Sequence, residues 1–373
     1  MNGNNVSASY LITSQDKVFA SLYSFIVFFG VVANSIVINI VRKTPSMHTT
    51  TNCLLMNLAV ADLLTLSFCS GVYDFALHNI RLSTTSGDIF CKILAGNAIV
   101  CISFDASVLT LCVIAVERYI GIVKPFNRKC HLTRKTQCFA ITMIWLMAII
   151  SSFPDSLWTA YNREKALSTL RYPCIRPWTV EHQPSKVRSY IISHSVIIIV
   201  LPSILISFCY ISIFAELRSR SSEPDENKDS KKGMKRLLRL LVLLAVAFCT
   251  LCLPFAGFFF YVVALGPDQV EQHFISLFLV HRIVRFLIFS NSFINPVLYA
   301  AQSTNYREVL QQKLCGKTYT SETGRNVARA SAMNPKLSKM EQEHAVWQHN
   351  THAAACVLNI TYMNVHIIDG TFI

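Results

Sequence analysis

Seven stretches of the chain are apolar for long enough to cross a membrane, and polar segments separate them. A spanning helix needs about 20 mostly apolar residues to cross roughly 30 Å of hydrocarbon. Val18–Val41 carries no charge, and Asn52–Leu77 is broken only by Asp62 and Asp74. Ile93–Val116 holds one acid, Asp105; Thr136–Pro154 is uncharged; Ser189–Ala215 carries only His194. Leu240–Gly266 is again free of charge, and His273–Ala300 admits Arg282 and Arg285 in its first half. None of the seven shows the alternating short-strand pattern of an outer-membrane barrel. The pattern predicts an all-α membrane protein, a bundle of seven transmembrane helices over residues 18–300. Residues 1–17 read as an extracellular tail, 303–315 as a short amphipathic eighth helix, and 316–373 as a mostly disordered cytoplasmic tail.

Composition agrees with this picture. Of the 373 residues, 52% are hydrophobic and 15% charged, against about a quarter charged in an ordinary soluble domain. The formal charge is +13, but the basic residues flank apolar runs instead of forming a stripe for nucleic acid, so no nucleic-acid partner is expected. Lys and Arg cluster after the first, third and fifth runs, as in Arg42-Lys43, Lys124 to Lys135 and Arg218 to Arg236. The excess of positive charge on cytoplasmic loops then sets the N-terminus outside and the C-terminus in the cytosol. The basic second outer connector, Arg163 to Arg188, dissents, but long loops weigh less in this rule. Asn5-Val6-Ser7 is a glycosylation acceptor pattern in the outer tail. Of thirteen cysteines, only Cys91 and Cys174 fall in outer segments, which reads as a disulfide, with two free thiols as the other reading.

Amide, hydroxyl and ionisable side chains inside a bilayer are costly and usually face the bundle interior. Here they are Asn34, Asn57, Asp62, Ser103, Asp105, Ser107, Asn291, Ser292 and Asn295. Asp62, at mid-span, needs a proton, a cation or a set of donors, and the neighbouring amides and hydroxyls suit a small cation. Pro202, Pro254 and Pro296 each remove a backbone bond and kink the fifth, sixth and seventh helices.

In this order the motifs resemble those of rhodopsin-like (class A) G-protein-coupled receptors, over about Val18–Cys315. They are Gly30-Val31-Val32-Ala33-Asn34, Leu58-Ala59-Val60-Ala61-Asp62, Glu117-Arg118-Tyr119, Trp145, Pro202 with Tyr210, and Asn295-Pro296-Val297-Leu298-Tyr299. The resemblance implies that Arg118, restrained by Glu117, is released on activation to meet a heterotrimeric G protein. It implies that Tyr210 and Tyr299 swing inward in the active state. It also implies that Asn34, Asp62, Ser107, Asn291, Ser292 and Asn295 form an interior pocket for an allosteric sodium ion, the one cofactor expected. Two departures stand out. Cys252 occupies the position two before Pro254 where the family usually has Trp, leaving Phe248 one turn below to couple ligand to helix motion. Met234, Lys235 and Arg236 stand where many members place an acid to pair with Arg118, which predicts basal signalling.

Amine receptors of the family carry Asp eighteen residues before the triplet arginine; this chain has Val100 there. Opsins carry Lys seven residues before the last proline; here it is Phe289. The long outer loop around Arg171-Tyr172-Pro173-Cys174-Ile175-Arg176 suits the hairpin of a peptide receptor. Loosely, the chain is similar to neuropeptide receptors of the galanin, allatostatin and RFamide type. Candidate ligand contacts are Asp74, His78, Val100, Asp105, His194, Phe255, Phe258, Phe259, His281, Arg282 and Arg285. Arg285 is expected to point inward and grip a carboxylate or carbonyl, and for Arg282 snorkelling towards water competes with a ligand contact. Asp105 and His194 lie at comparable depth and are expected to pair.

At the cytosolic end, Cys315 is a palmitoylation candidate after the amphipathic stretch Asn305–Leu314. Thr318, Thr320, Ser321 and Thr323 suit phosphorylation for arrestin capture, and Thr371-Phe372-Ile373 suits a PDZ groove. The reading is a plasma-membrane receptor for a neuropeptide, not an enzyme. Its alternatives are a receptor for a lipid or nucleotide and, remotely, a seven-helix transporter or pump.

Overall fold

The computed structural model describes residues 14–69, 84–95, 98–125, 132–161, 174–175, 185–220, 228–265 and 267–302. Asn5, Asp74, His78, Arg163, Arg171 and Arg176 of the long outer loop, the expected eighth helix, Cys315, the phosphorylation candidates and Thr371-Phe372-Ile373 lie outside the described residues.

Among the described residues, seven helices are long and apolar enough to cross a membrane. Span one is Ser14–Lys43 and span two Thr50–Ser67. Span three begins as Thr84–Phe90, widens through a π turn at Cys91–Ala95, and continues as Ala98–Val123. Span four is Arg134–Trp158. Span five runs Ser185–Ser195, a π turn at Val196–Val200, then Leu201–Arg220. Span six is Lys228–Ala264 and span seven Phe274–Gln302. Local signals fix the starts of two of them. Thr49 accepts the Asn52 backbone N–H ahead of span two, and Thr133 and Thr136 form a reciprocal capping box at span four.

Spans one, three and six outrun the apolar runs that predict them, whereas the span-two helix ends at Ser67, short of the expected Leu77. Span one starts at Ser14 instead of Val18, span three at Thr84 instead of Ile93, and span six at Lys228 instead of Leu240. Hydropathy marks only the part of a helix that sits in hydrocarbon, whereas backbone bonding carries the helix on into water. Span four likewise continues past Pro154 to Trp158, because an internal proline removes one bond and bends a helix without ending it. That extension carries Asp155 into the bundle wall.

Span three packs against two, four and five, six against seven, and one against both two and seven. Ala61, Ala106 and Ala148 bring two, three and four together with small side chains, as close packing in lipid favours. Gly30 lets span one approach span two: a Cβ there would stand 2.5 Å from Leu66 Cδ1. The outer faces are apolar and bare, with Ile150 72% and Ile211 69% exposed, as a lipid-facing surface requires. Between spans four and five, strands β1 (Ala160–Tyr161) and β2 (Cys174–Ile175) pair antiparallel, Tyr161 opposite Cys174. The Cys91–Cys174 disulfide and a 2.8 Å bond from the Tyr161 N–H to Asp88 Oδ1 tie this hairpin to the head of span three.

Candidate functional site

Three polar layers occupy the bundle interior. The outermost is a cavity of about 120 Å3 bounded by spans three to seven. Span three lines it with Val100, Cys101, Phe104 and Asp105, span four with Asp155, and span five with Tyr190, Ile191, His194, Ser195 and Ile199. Phe255 and Phe259 of span six and His281, Arg285, Ile288 and Phe289 of span seven complete the wall. Of the sequence candidates, Val100, Asp105, His194, Phe255, Phe259, His281 and Arg285 therefore converge on one space. Phe258 does not join the lining. It is buried against Val187, Ile191, Val262 and Leu277, so it packs the bundle, and its ring meets His281 at 5.6 Å. Phe259, next in the chain, faces the cavity instead.

At the cavity wall, Asp105 is fully buried and accepts Ser151 Oγ at 2.6 Å and Ser152 Oγ at 2.8 Å. His194 Nε2 lies 3.0 Å from the same oxygen, Oδ2, so the expected pair is present and two serines of span four join it. Those serines, Asp155 and Tyr190 were not apparent from sequence. Hydroxyls are common in membrane helices and carry no signal of their own, and Asp155 fell beyond the expected end of span four.

Arg282 does not snorkel. Its Nη1 pairs with Asp16 Oδ1 of span one at 2.8 Å, and its guanidinium lies 4.3 Å from the centre of the Phe19 ring. Tyr23 donates to the Arg282 carbonyl at 3.1 Å, and the Arg285 guanidinium stands 6.0 Å over the Tyr23 ring. A nearby acid and aromatic faces hold the cation where water would otherwise draw it.

The middle layer centres on Asp62, also fully buried. Ser107 and Ser292 each donate to Oδ1 at 2.9 Å, and Asn295 Nδ2 to Oδ2 at 2.6 Å. Asn34, expected in this set, donates instead to the carbonyls of Gly30 and Ser292, at 2.9 and 3.1 Å, and so braces span seven against span one. Both polar side-chain atoms of buried Asn291 lack partners among the described residues. Ser103 bonds with Thr65 Oγ1 at 2.8 Å, in a separate contact between spans two and three. Asn57 donates to Thr110 and accepts from the Trp145 indole, which ties two, three and four. A buried carboxylate surrounded by neutral donors, with no cation paired to it among the described residues, is chemically suited to a small monovalent ion.

At the inner end, Glu117 holds Arg118 with two bonds, to Nε at 2.6 Å and Nη2 at 2.9 Å, the planar geometry that guanidinium and carboxylate favour. Thr51 reaches Glu117 from span two at 3.4 Å. Tyr119 meets Phe208 at 5.9 Å and lies beneath Lys124 Nζ at 5.7 Å. Tyr210, Phe248, Cys252 and Tyr299 are buried, and Pro254 and Pro296 sit inside their helices without ending them.

Residues 33–299 match the family model described as 7 transmembrane receptor (rhodopsin family). The chain is 28% identical over 317 residues to Tachykinin-like peptides receptor 86C of Drosophila melanogaster, covering 81% of this chain and 59% of that protein. It is 26% identical over 291 residues to human Neuropeptide Y receptor type 2, covering 77% and 73% of the two chains. To the Allatostatin-A receptor of Bombyx mori it is 28% identical over 291 residues, covering 78% of each.

Proposed function

The chain belongs to the rhodopsin family of seven-transmembrane receptors, and we propose that it is a neuropeptide receptor that activates heterotrimeric G proteins. One observation carries the reading: spans three and seven run through all three polar layers. Span three bears Asp105, Ser107 and Arg118; span seven bears Arg285, Ser292, Asn295 and Tyr299. A ligand that shifts either helix in the cavity therefore bears on the Asp62 bonds and on the Arg118 clasp. The relatives named above are receptors for peptides by name, and the hairpin folded at the head of span three favours a peptide over a lipid or nucleotide.

In this mechanism the peptide enters from outside, between the hairpin and spans five to seven, and meets His194, Phe255, Phe259, His281 and Arg285. The N-terminus is extracellular and the C-terminus cytosolic in the plasma membrane. Displacement of seven relative to three loosens the Ser107 and Ser292 bonds to Asp62. Arg118 leaves Glu117, Tyr210 and Tyr299 turn towards it, and the inner end opens to the G protein. Asp62, Ser107, Ser292 and Asn295 would hold a sodium ion in the resting state, where its charge neutralises the carboxylate. Phosphorylated threonines and serine of the tail would recruit arrestin, and Thr371-Phe372-Ile373 a PDZ domain.

The test is a neuropeptide library presented to cells that express the full chain with promiscuous G proteins. At least one peptide raises the second-messenger signal, and Arg118→Ala abolishes the response at unchanged surface expression. Activation by lipids or nucleotides alone overturns the peptide reading.

A further inference from the structure

Resting on the peptide-receptor reading, we propose that Asp105 anchors a cationic side chain of the ligand, a guanidinium or an ammonium, at the wall of the cavity. Its carboxylate is fully buried, yet its bonds are one-sided. Ser151, Ser152 and His194 all converge on Oδ2, while Oδ1 is buried and has no partner among the described residues. An ionised carboxylate offers about four acceptor positions, two on each oxygen. Oδ2 is fully used, and Oδ1 offers two to whatever enters. His194 does not fill that role, because it shares Oδ2 with the serines.

The surroundings select the charge of the occupant. A second acid, Asp155, lines the same cavity, as do Tyr190, Phe255 and Phe259, aromatic residues of the kind that attract a cation. A buried acceptor left open in an apolar cavity is a strong discriminator, since a ligand without the donor leaves it unmet. At about 120 Å3 the space is somewhat smaller than the roughly 150 Å3 of an engineered cavity that takes up benzene, so it receives one side chain and not a peptide. The amine-receptor position on span three is Val100, but span three still places an acid in this cavity, five residues further along at Asp105. Arg285 lines the cavity as well, so an anionic occupant is the opposed reading.

Thermal melting of the full chain in lipid nanodiscs separates these readings, with ethylguanidinium, its neutral isostere ethylurea, and propionate as probes. The guanidinium raises the melting midpoint at a concentration about tenfold below the urea, as expected for a charge-assisted bond. Asp105→Asn brings the two together, and Arg285→Ala leaves the preference in place. Equal effects of guanidinium and urea on the wild type, tighter binding of the propionate, or a preference that survives Asp105→Asn overturns the proposal. If Asp105→Asn does not fold, alkylation of Cys101, one turn from Asp105 in the same wall, decides the location. Protection of Cys101 by the guanidinium but not the urea supports the site; equal or no protection removes it. A peptide agonist that tolerates every Arg→citrulline and Lys→norleucine exchange sinks this inference and leaves the receptor reading standing.

Discussion

Asp62 and Asp105 are two carboxylates buried to the same degree, each with three side-chain contacts, and they are built differently. Around Asp62 the donors divide, two on Oδ1 and one on Oδ2, and come from spans three and seven. Around Asp105 they crowd onto one oxygen and come from spans four and five. The first arrangement is closed on both oxygens and joins spans three and seven to span two, and span three carries the inner Arg118 clasp. The second braces the helices on the other side of span three and keeps an acceptor in reserve. Burial alone therefore does not tell what a membrane acid does; the distribution of its donors over the two oxygens does.

The contrast can be broken by substitution. Asp62→Ala strands three donors between spans three and seven, and with charge-assisted bonds worth about 1.5–3 kcal/mol each, the net loss should be about 3 kcal/mol. Melting of the purified chain should show it, and replacing sodium by choline should lower the midpoint of the wild type but not of this variant. An unchanged midpoint would mean that the Asp62 bonds are not what joins three to seven. Asp105→Ala should be milder, about 2 kcal/mol, because Ser151 already shares its hydroxyl with the Ala148 carbonyl at 3.0 Å and can transfer fully to it. Equal losses at the two acids would erase the distinction between closed and one-sided sites. The smallest effect is expected at Asp16→Asn. This ion pair with Arg282 lies nearer the end of span one, where partial solvent contact holds such pairs to about 0.5–1 kcal/mol. A loss as large as that at Asp105 would show that the pair is shielded from water more than its position suggests.

The number of helices and their order were legible because lipid leaves few ways to satisfy a backbone, and apolar length alone reports it. The acid–arginine clasp was legible because Glu117 and Arg118 are neighbours in the chain. Asp105 and His194 could be paired from depth on their helices. Ser151 and Ser152 could not, since a hydroxyl in a helix can bond its own backbone and needs no partner elsewhere. The Asp16–Arg282 pair was equally hidden: its partners are 266 residues apart, and only closure of span one against span seven brings them together. Asn34 was legible as polar and interior, but which carbonyls it would reach depends on the rotation of span one, fixed by the close approach at Gly30.

Tyr23 touches two consecutive arginine turns of span seven, the Arg282 carbonyl through its hydroxyl and the Arg285 guanidinium through its ring, and it meets Phe286 and Phe289 edge-on at 5.5 and 5.8 Å. The first helix is thus riveted to the segment of the seventh that faces the cavity. A load on the outer end of the first helix would therefore reach the Arg285 wall through the Tyr23 phenol, alongside the Asp16 and Phe19 contacts to Arg282 one turn away.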